Sequence, residues 1–155
     1  LAVRVAGAKG LDVAARLAAA GRRPVLVAAD TIVVLDSEVL TKPRDPRHAR
    51  EMLGRLAGRT HTVVTGYAVG RHEGRWIARH EATEVRFYPL DAGEIDRYVR
   101  TGEGADKAGA YAIQELGAYL VDRIDGDYFN VVGLPVSRVL RALVELGALE
   151  EFPAP

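Results

Sequence analysis

The feature that most constrains this chain is an apolar run from Pro24 to Leu35 (PVLVAADTIVVL), which a single Asp-Thr pair interrupts. A run of this length and composition predicts a β-strand buried on both faces. Asp30 lies in its middle, and burying an unpaired carboxylate costs several kcal/mol or shifts its pKa. The pattern leaves two interpretations open. Asp30 either ends the strand at a turn by accepting backbone N–H groups, or faces a metal ion or a water in a cleft.

Charge and cysteine content limit the classes of partner. The chain has 21 basic and 21 acidic residues, which argues against a general nucleic-acid or membrane-surface binder. It has no cysteine, so disulfides and cysteine-based zinc sites are excluded. No apolar run in the sequence reaches the roughly 20 residues that cross a bilayer. We therefore expect a cytoplasmic protein that binds neither nucleic acid nor membrane.

The order of helix and strand signals predicts an α/β domain with a mixed central sheet flanked by helices. No linker divides the sequence, so we expect one domain over residues 1–155. The chain starts inside a helical pattern without a cap, which suggests that an N-terminal portion precedes this numbering. The predicted elements are an Ala-rich helix over 1–20, a strand to 35, a turn at 36–38, a helix starting at Asp45-Pro46, a hairpin over 60–88, a helix over 91–100, short strands at 110–113 and 119–124, a helix to 146 and a loose tail at 152–155.

Five segments carry polar residues suited to chemistry. Each also has a structural interpretation: a lysine near a turn is usually solvated, a Gly-Ala-rich loop is usually a turn, and His61 is more commonly a packed or surface strand residue than a ligand. None of the four histidines has metal-binding spacing, which argues against zinc, and the common phosphate-binding glycine motifs are absent. The segments are Asp30-Thr31, Lys42 before Pro43, 58–66, 107–114 and 127–135.

The combination of these residues favours phosphate-ester hydrolysis. Asp30 supplies a carboxylate that can hold Mg²⁺ or deprotonate a water. Lys42 and Lys107 can neutralise phosphate oxygens as point charges. Gln114 carries an amide that can both donate to and accept from the edge of a nucleobase.

Two long segments also resemble a known family. AADTIVVLDSEVLTKPRDPRHAREMLGRLAGRTHTVVTG and GEGADKAGAYAIQELGAYLVDRIDGDYFNVVGLP closely resemble the Maf family of nucleoside triphosphate pyrophosphatases, and the resemblance extends over about residues 25–147. That family is similar in fold to the inosine-triphosphate pyrophosphatases. The resemblance therefore implies an elongated α/β domain with a cleft between two lobes, which is often a homodimer.

The resemblance also implies a reaction and a set of site residues. A nucleoside triphosphate and water would give the monophosphate and pyrophosphate, with a divalent cation, Mg²⁺ or Mn²⁺. Asp30 matches the family's proton acceptor and is a possible metal ligand. Thr31 and Gln114 match positions tied to base selection, whereas Lys42 and Lys107 match lysines at the phosphates.

The Gly-Ala-Tyr-x-Ile-Gln segment resembles the branch of the family that acts on dTTP and UTP, and an amide pairs well with the O4 and N3–H edge of uracil or thymine. Two alternatives stay open: hydrolysis of a methylated purine nucleotide such as 7-methyl-GTP, and a non-catalytic nucleotide-binding role in septum formation during cell division. The family's N-terminal strand and Ser-x-Ser-x-Arg-Arg segment are missing from this numbering, so we expect weak or no activity from this chain alone.

Overall fold

The computed structural model describes residues 1–150 and contains five α-helices and five β-strands over that range. Two short 3₁₀ segments, Ala108–Ala110 and Glu115–Leu120, lie between the third helix and the last strand. The predicted loose tail at 152–155 lies outside the described residues. The elements in chain order are α1 (Ala2–Ala19), β1 (Leu26–Leu35), β2 (Glu38–Leu40), α2 (Pro46–Leu56), β3 (Thr60–Gly70), β4 (Trp76–Phe87), α3 (Ala92–Thr101), β5 (Val121–Asp125), α4 (Tyr128–Val132) and α5 (Val136–Glu145).

The strands form one five-stranded sheet in the order β2-β1-β3-β4-β5. β2 pairs antiparallel with β1 through Val33–Leu40, and β5 pairs antiparallel with β4 through Val85–Ile124. The α/β class with a sheet and flanking helices is confirmed. No helix in the described range is both long and apolar enough to cross a membrane.

Local signals in the sequence set the starts of α2 and α3 and the end of α3. The side chain of Asp45 accepts a hydrogen bond from the backbone N–H of His48 at 2.7 Å and caps α2, in which Pro46 is the first residue. Asp91 and Glu94 form the predicted capping box at the start of α3. Gly102 ends α3 in the left-handed conformation, at φ 76°.

The chain divides into two compact units. Among the described residues, the first contains 1–30, 65–81 and 133–150, and the second contains 31–64 and 82–132. The first unit has a small core built on Tyr67, Val69, Ile77, Val139 and Ala142. The second has a larger core that includes Leu53, Leu56, Val85, Phe87 and Leu120. The boundary between the units in β1 falls between Asp30 and Thr31.

Three sequence-based expectations about local structure need correction. β1 is not buried on both faces: Val33 and Leu35, at the end that pairs with the three-residue β2, are fully buried, but Val27 is 44% exposed. Residues 110–113 do not form a strand, because Ala110 has φ 63° and ends a helical turn. Helix α4 (Tyr128–Val132) was not predicted, since five residues are too few for helical periodicity.

Candidate functional site

Asp30 lies in mid-strand and is paired with a lysine from another element. Its Oδ1 accepts a hydrogen bond from Lys9 Nζ at 2.6 Å, and the side chains are 21% exposed for Asp30 and 55% exposed for Lys9. Since β1 continues to Leu35, the interpretation of Asp30 as a strand-ending residue is wrong. The carboxylate is partly accessible, so a ligand or water can reach it.

Small residues bring Lys9 to Asp30. A Cβ atom on Gly10 would lie 3.4 Å from the Cβ of Ala28 and 2.7 Å from Cζ3 of Trp76. Helix α1 therefore packs closely on β1 at the residue after Lys9, where a larger side chain would hold the two elements apart. The buried face of α1 repeats small residues every four positions: Ala2, Ala6, Gly10 and Ala14.

Sequence reasoning missed Lys9. Its nearest signal was the pair of glycines in an otherwise Ala-rich helix, Gly7 and Gly10, of which Gly10 marks a close helix contact. A lysine on an amphipathic helix is usually solvated, and only the packing of α1 against β1 distinguishes Lys9 from the other basic residues of that helix.

The two lysines predicted at the phosphates lie on adjacent loops of the second unit. The backbone N–H of Gly109 donates to the carbonyl of Thr41 at 3.2 Å, which ties the Lys107 loop to the Lys42 loop. Both side chains are exposed. The Asp106 carboxyl accepts a hydrogen bond from Lys107, which holds its pKa below the usual range. The charge of Lys42 lowers the same pKa further. Lys107 Nζ is ion-paired with Asp106 at 3.0 Å, so the two predicted phosphate lysines lie near one exposed carboxylate.

The loop after Lys107 rests directly on β1. Gly109 has φ 72°, and a Cβ there would lie 3.1 Å from Cγ2 of Val33. Only glycine combines this backbone conformation with such close approach at low cost. Thr31 and Val33 are two residues apart on β1, and Gln114 follows this loop with its side chain exposed.

His61 is a buried structural residue, as its structural interpretation predicted. It is 2% exposed, and its Nε2 shares a 2.8 Å hydrogen bond with Tyr111 Oη. Its ring also contacts Phe87 and Tyr111 edge to face. Within the described residues its Nδ1 has no hydrogen-bond partner, so protonation would leave a charged N–H buried without an acceptor.

We expect His61 to make folding stability depend on pH. Burial lowers its pKa from 6.5 to about 4, so the unfolded chain binds a proton more readily than the folded protein between these values. The stability that depends on neutral His61 is therefore complete above pH 6.5 and falls as the pH drops toward 4, by about 3 kcal/mol. Urea unfolding of the wild type and of His61→Gln at pH 7 and 4.5 measures the change in the free energy of unfolding. An equal decrease in both proteins would contradict the assignment of this pH dependence to His61.

Asn130 holds the start of the segment 127–135 in place. It is fully buried, and its Nδ2 donates to the carbonyl of Val63 at 3.1 Å and to Thr83 Oγ1 at 2.9 Å. The backbone N–H of Asp127 donates to the same Thr83 hydroxyl at 3.0 Å. This polar network explains the Asn in the segment as structural support.

The donor set around Asp30 is a single carboxylate whose Oδ1 is already paired with Lys9, so a divalent cation there would have to be held mainly by its substrate. In the part of the chain that the structure describes, no group of three or more His, Cys, Asp or Glu side chains could hold a metal ion. Mg²⁺ in phosphate-transfer sites commonly takes one or two carboxylates and completes its coordination with waters and substrate phosphates. Asp30 can supply one such carboxylate oxygen.

Comparison with known proteins gives one family. The profile of the family described as Maf-like protein matches residues 1–146. The chain is 54% identical over 127 residues to the dTTP/UTP pyrophosphatase of Halalkalibacterium halodurans, covering 82% of this chain and 66% of that relative.

Two further relatives carry the same name. The dTTP/UTP pyrophosphatase of Syntrophotalea carbinolica is 47% identical over 152 residues, covering 97% of this chain and 68% of the relative. The dTTP/UTP pyrophosphatase of Pyrococcus furiosus is 44% identical over 146 residues, covering 94% of this chain and 74% of that relative. The chain thus spans about two thirds of the length of the first two relatives.

Proposed function

Because the chain belongs to the Maf-like protein family, we propose that it forms part of a nucleoside triphosphate pyrophosphatase that converts dTTP or UTP and water to the monophosphate and pyrophosphate. The observation that carries this proposal is the partly accessible, ion-paired Asp30 carboxylate in mid-strand, in a chain that is 54% identical to a dTTP/UTP pyrophosphatase.

In this reaction a water oxygen bonds to phosphorus, the bridging P–O bond between the α- and β-phosphates breaks, and pyrophosphate leaves. Asp30 would accept the proton that the water loses. Since Lys9 holds Oδ1, we assign the proton to Oδ2. Lys9 thus orients the carboxylate and is a positioning residue in this proposal.

The exposed lysines Lys42 and Lys107 would bind phosphate oxygens, because an ammonium group pairs with a phosphate oxygen as a point charge and the Gly109–Thr41 backbone hydrogen bond joins the two loops that carry them. Thr31 and Gln114 would contact the nucleobase. A divalent cation, Mg²⁺ or Mn²⁺, would neutralise phosphate charge when bound. Asp30 as its protein ligand is the alternative to Asp30 as proton acceptor, because Lys9 leaves only Oδ2 for either role. Homodimer formation and a cytoplasmic location are also part of the proposal.

The test is pyrophosphate release by the full-length protein from UTP, dTTP, CTP and 7-methyl-GTP, each with Mg²⁺ or Mn²⁺. We expect turnover of UTP and dTTP. EDTA, which removes the cation, should abolish this turnover, and addition of Mg²⁺ should restore it. Preferred turnover of 7-methyl-GTP would support the purine alternative. Nucleotide binding in a titration without turnover of any of them would overturn the proposed reaction and favour a regulatory role.

A further inference from the structure

We propose that Tyr98 and Glu103 are positioning residues that fix Gln114 for reading the pyrimidine base. This inference rests on the proposed function, because it assigns base recognition to Gln114. It concerns the segment 111–117, which carries Gln114 on its exposed side. Both positioning residues come from outside this segment, at α3 and the turn that follows it.

The two side chains hold the backbone on either side of Gln114. Tyr98 is 6% exposed, and its Oη accepts a hydrogen bond from the N–H of Ala112 at 3.1 Å. Glu103 Oε1 accepts from the N–H of Gly117 at 3.3 Å. These contacts lie two residues before and three residues after Gln114, so they bracket it.

The bracketed residues fold back on themselves. A Cβ on Gly117 would lie 1.6 Å from the carbonyl oxygen of Ala112 and 3.0 Å from Tyr98 Oη. The backbone at Ala112 therefore contacts the backbone at Gly117, which only glycine allows. Gln114 lies in the tip that this contact closes.

The tip has a backbone conformation that needs outside support. Glu115, directly after Gln114, has φ 52°, a region that non-glycine residues enter at a cost of about 1 kcal/mol or more. Such conformations persist where neighbouring contacts determine them, and they are concentrated at ligand sites. The Tyr98 and Glu103 hydrogen bonds are contacts of this kind.

Glu103 also has a buried oxygen that folding alone does not explain. Its Oε2 is buried and has no hydrogen-bond partner among the described residues. Leaving a carboxylate oxygen in this state is costly. A shorter or apolar side chain would avoid the cost but would lose the contact to Gly117, so the contact accounts for a side chain of this length with an acceptor oxygen.

The position of Gln114 matters because its amide can pair with either of two base edges. The amide presents one donor and one acceptor side by side, and a half-turn of the amide exchanges them. One orientation pairs with the O4 and N3–H of uracil, and the other pairs with the amino group and N3 of cytosine. Either orientation pairs well only when the amide lies at hydrogen-bond distance from the base edge. The Tyr98 and Glu103 contacts set that distance by holding the backbone from which Gln114 projects, so selection of UTP over CTP depends on the held tip, whereas phosphate chemistry does not.

The experiment measures kcat/KM for UTP and CTP in the full-length protein. Tyr98→Phe and Glu103→Ala should each lower the UTP-to-CTP ratio about tenfold, the effect of losing one positioned hydrogen bond, mainly through a higher KM for UTP. Glu103→Gln should retain most of the ratio, since its amide oxygen can still accept from Gly117. The matched control is Tyr119→Phe, which removes an exposed hydroxyl bonded to Glu94 at 2.8 Å and should leave the ratio unchanged.

A purely structural role for Tyr98 and Glu103 predicts different results. In that case Tyr98→Phe and Glu103→Ala would lower kcat/KM for UTP and for CTP equally. An unchanged UTP-to-CTP ratio would overturn the proposal. In a Gln114→Ala background, Tyr98→Phe should no longer alter the ratio. A change as large as in the wild type would also overturn it.

Amide hydrogen exchange without nucleotide separates this proposal from the proposed function. The N–H groups of Ala112 and Gly117 should exchange slowly in the wild type and faster in Tyr98→Phe and Glu103→Ala respectively. Fast exchange of both in the wild type would overturn the positioning role. Slow exchange in a protein that hydrolyses no nucleotide would instead contradict the proposed function alone.

Discussion

Replacing Asp30 with asparagine should lower the rate of pyrophosphate release from UTP and dTTP at least about a hundredfold, the usual contribution of a general base. The amide keeps the size of the carboxylate but cannot accept the proton from water. It also removes the charge that pairs with Lys9 at 2.6 Å. Steady-state assays of the full-length variant would show the loss in kcat, with the KM for nucleotide changed far less.

The matched control for Asp30→Asn is Asp12→Asn. Asp12 forms an exposed ion pair with Arg16 at 2.7 Å within α1, and such surface pairs contribute about 0–1 kcal/mol to stability. Its replacement should leave activity unchanged. If Asp30→Asn keeps the wild-type rate while remaining folded, the assignment of Asp30 as proton acceptor is wrong.

Replacing Gly66 with alanine should destabilise the protein by about 3 kcal/mol, at the upper end for overpacking. A Cβ at this position in β3 would lie 2.2 Å from the backbone nitrogen of Val3 and 2.3 Å from the carbonyl carbon of Ala2. These are backbone atoms of α1, which cannot rotate away as a side chain would. Urea unfolding of the wild type and the variant would give the difference in free energy.

Gly7→Ala provides a comparison on α1, the helix that Gly66 of β3 contacts. A Cβ on Gly7 meets no atom within 4 Å, and alanine favours a helix over glycine by up to about 1 kcal/mol. Gly7→Ala should therefore raise stability slightly, whereas Gly66→Ala should lower it strongly. A neutral effect of Gly66→Ala would show that α1 does not depend on this close contact.

Much of the local structure could be predicted from the sequence because it depends on neighbours in the chain. The cap at Asp45 and the capping box of Asp91 and Glu94 follow from side chains that bond to backbone a few residues away. The predicted turn after Leu35 is confirmed by the pairing of Leu35 with Glu38. The family resemblance also rests on continuous segments of sequence, since the motifs that carry it are each a long run of residues. The residue types of Asp30, Lys42, Lys107 and Gln114 favour phosphate chemistry by themselves, and the resemblance implies the role of each.

By itself, the sequence determined the α/β class, the capped boundaries of α2 and α3 and the residue types available for phosphate chemistry, because propensity, periodicity and capping act within short segments. Only the tertiary structure decided what each of these residues contacts. It paired Lys9 with Asp30, tied the Lys42 and Lys107 loops together, and placed Tyr98 and Glu103 against the segment that carries Gln114. These contacts join residues distant in sequence, and their distances depend on how closely whole elements pack, which no local pattern records.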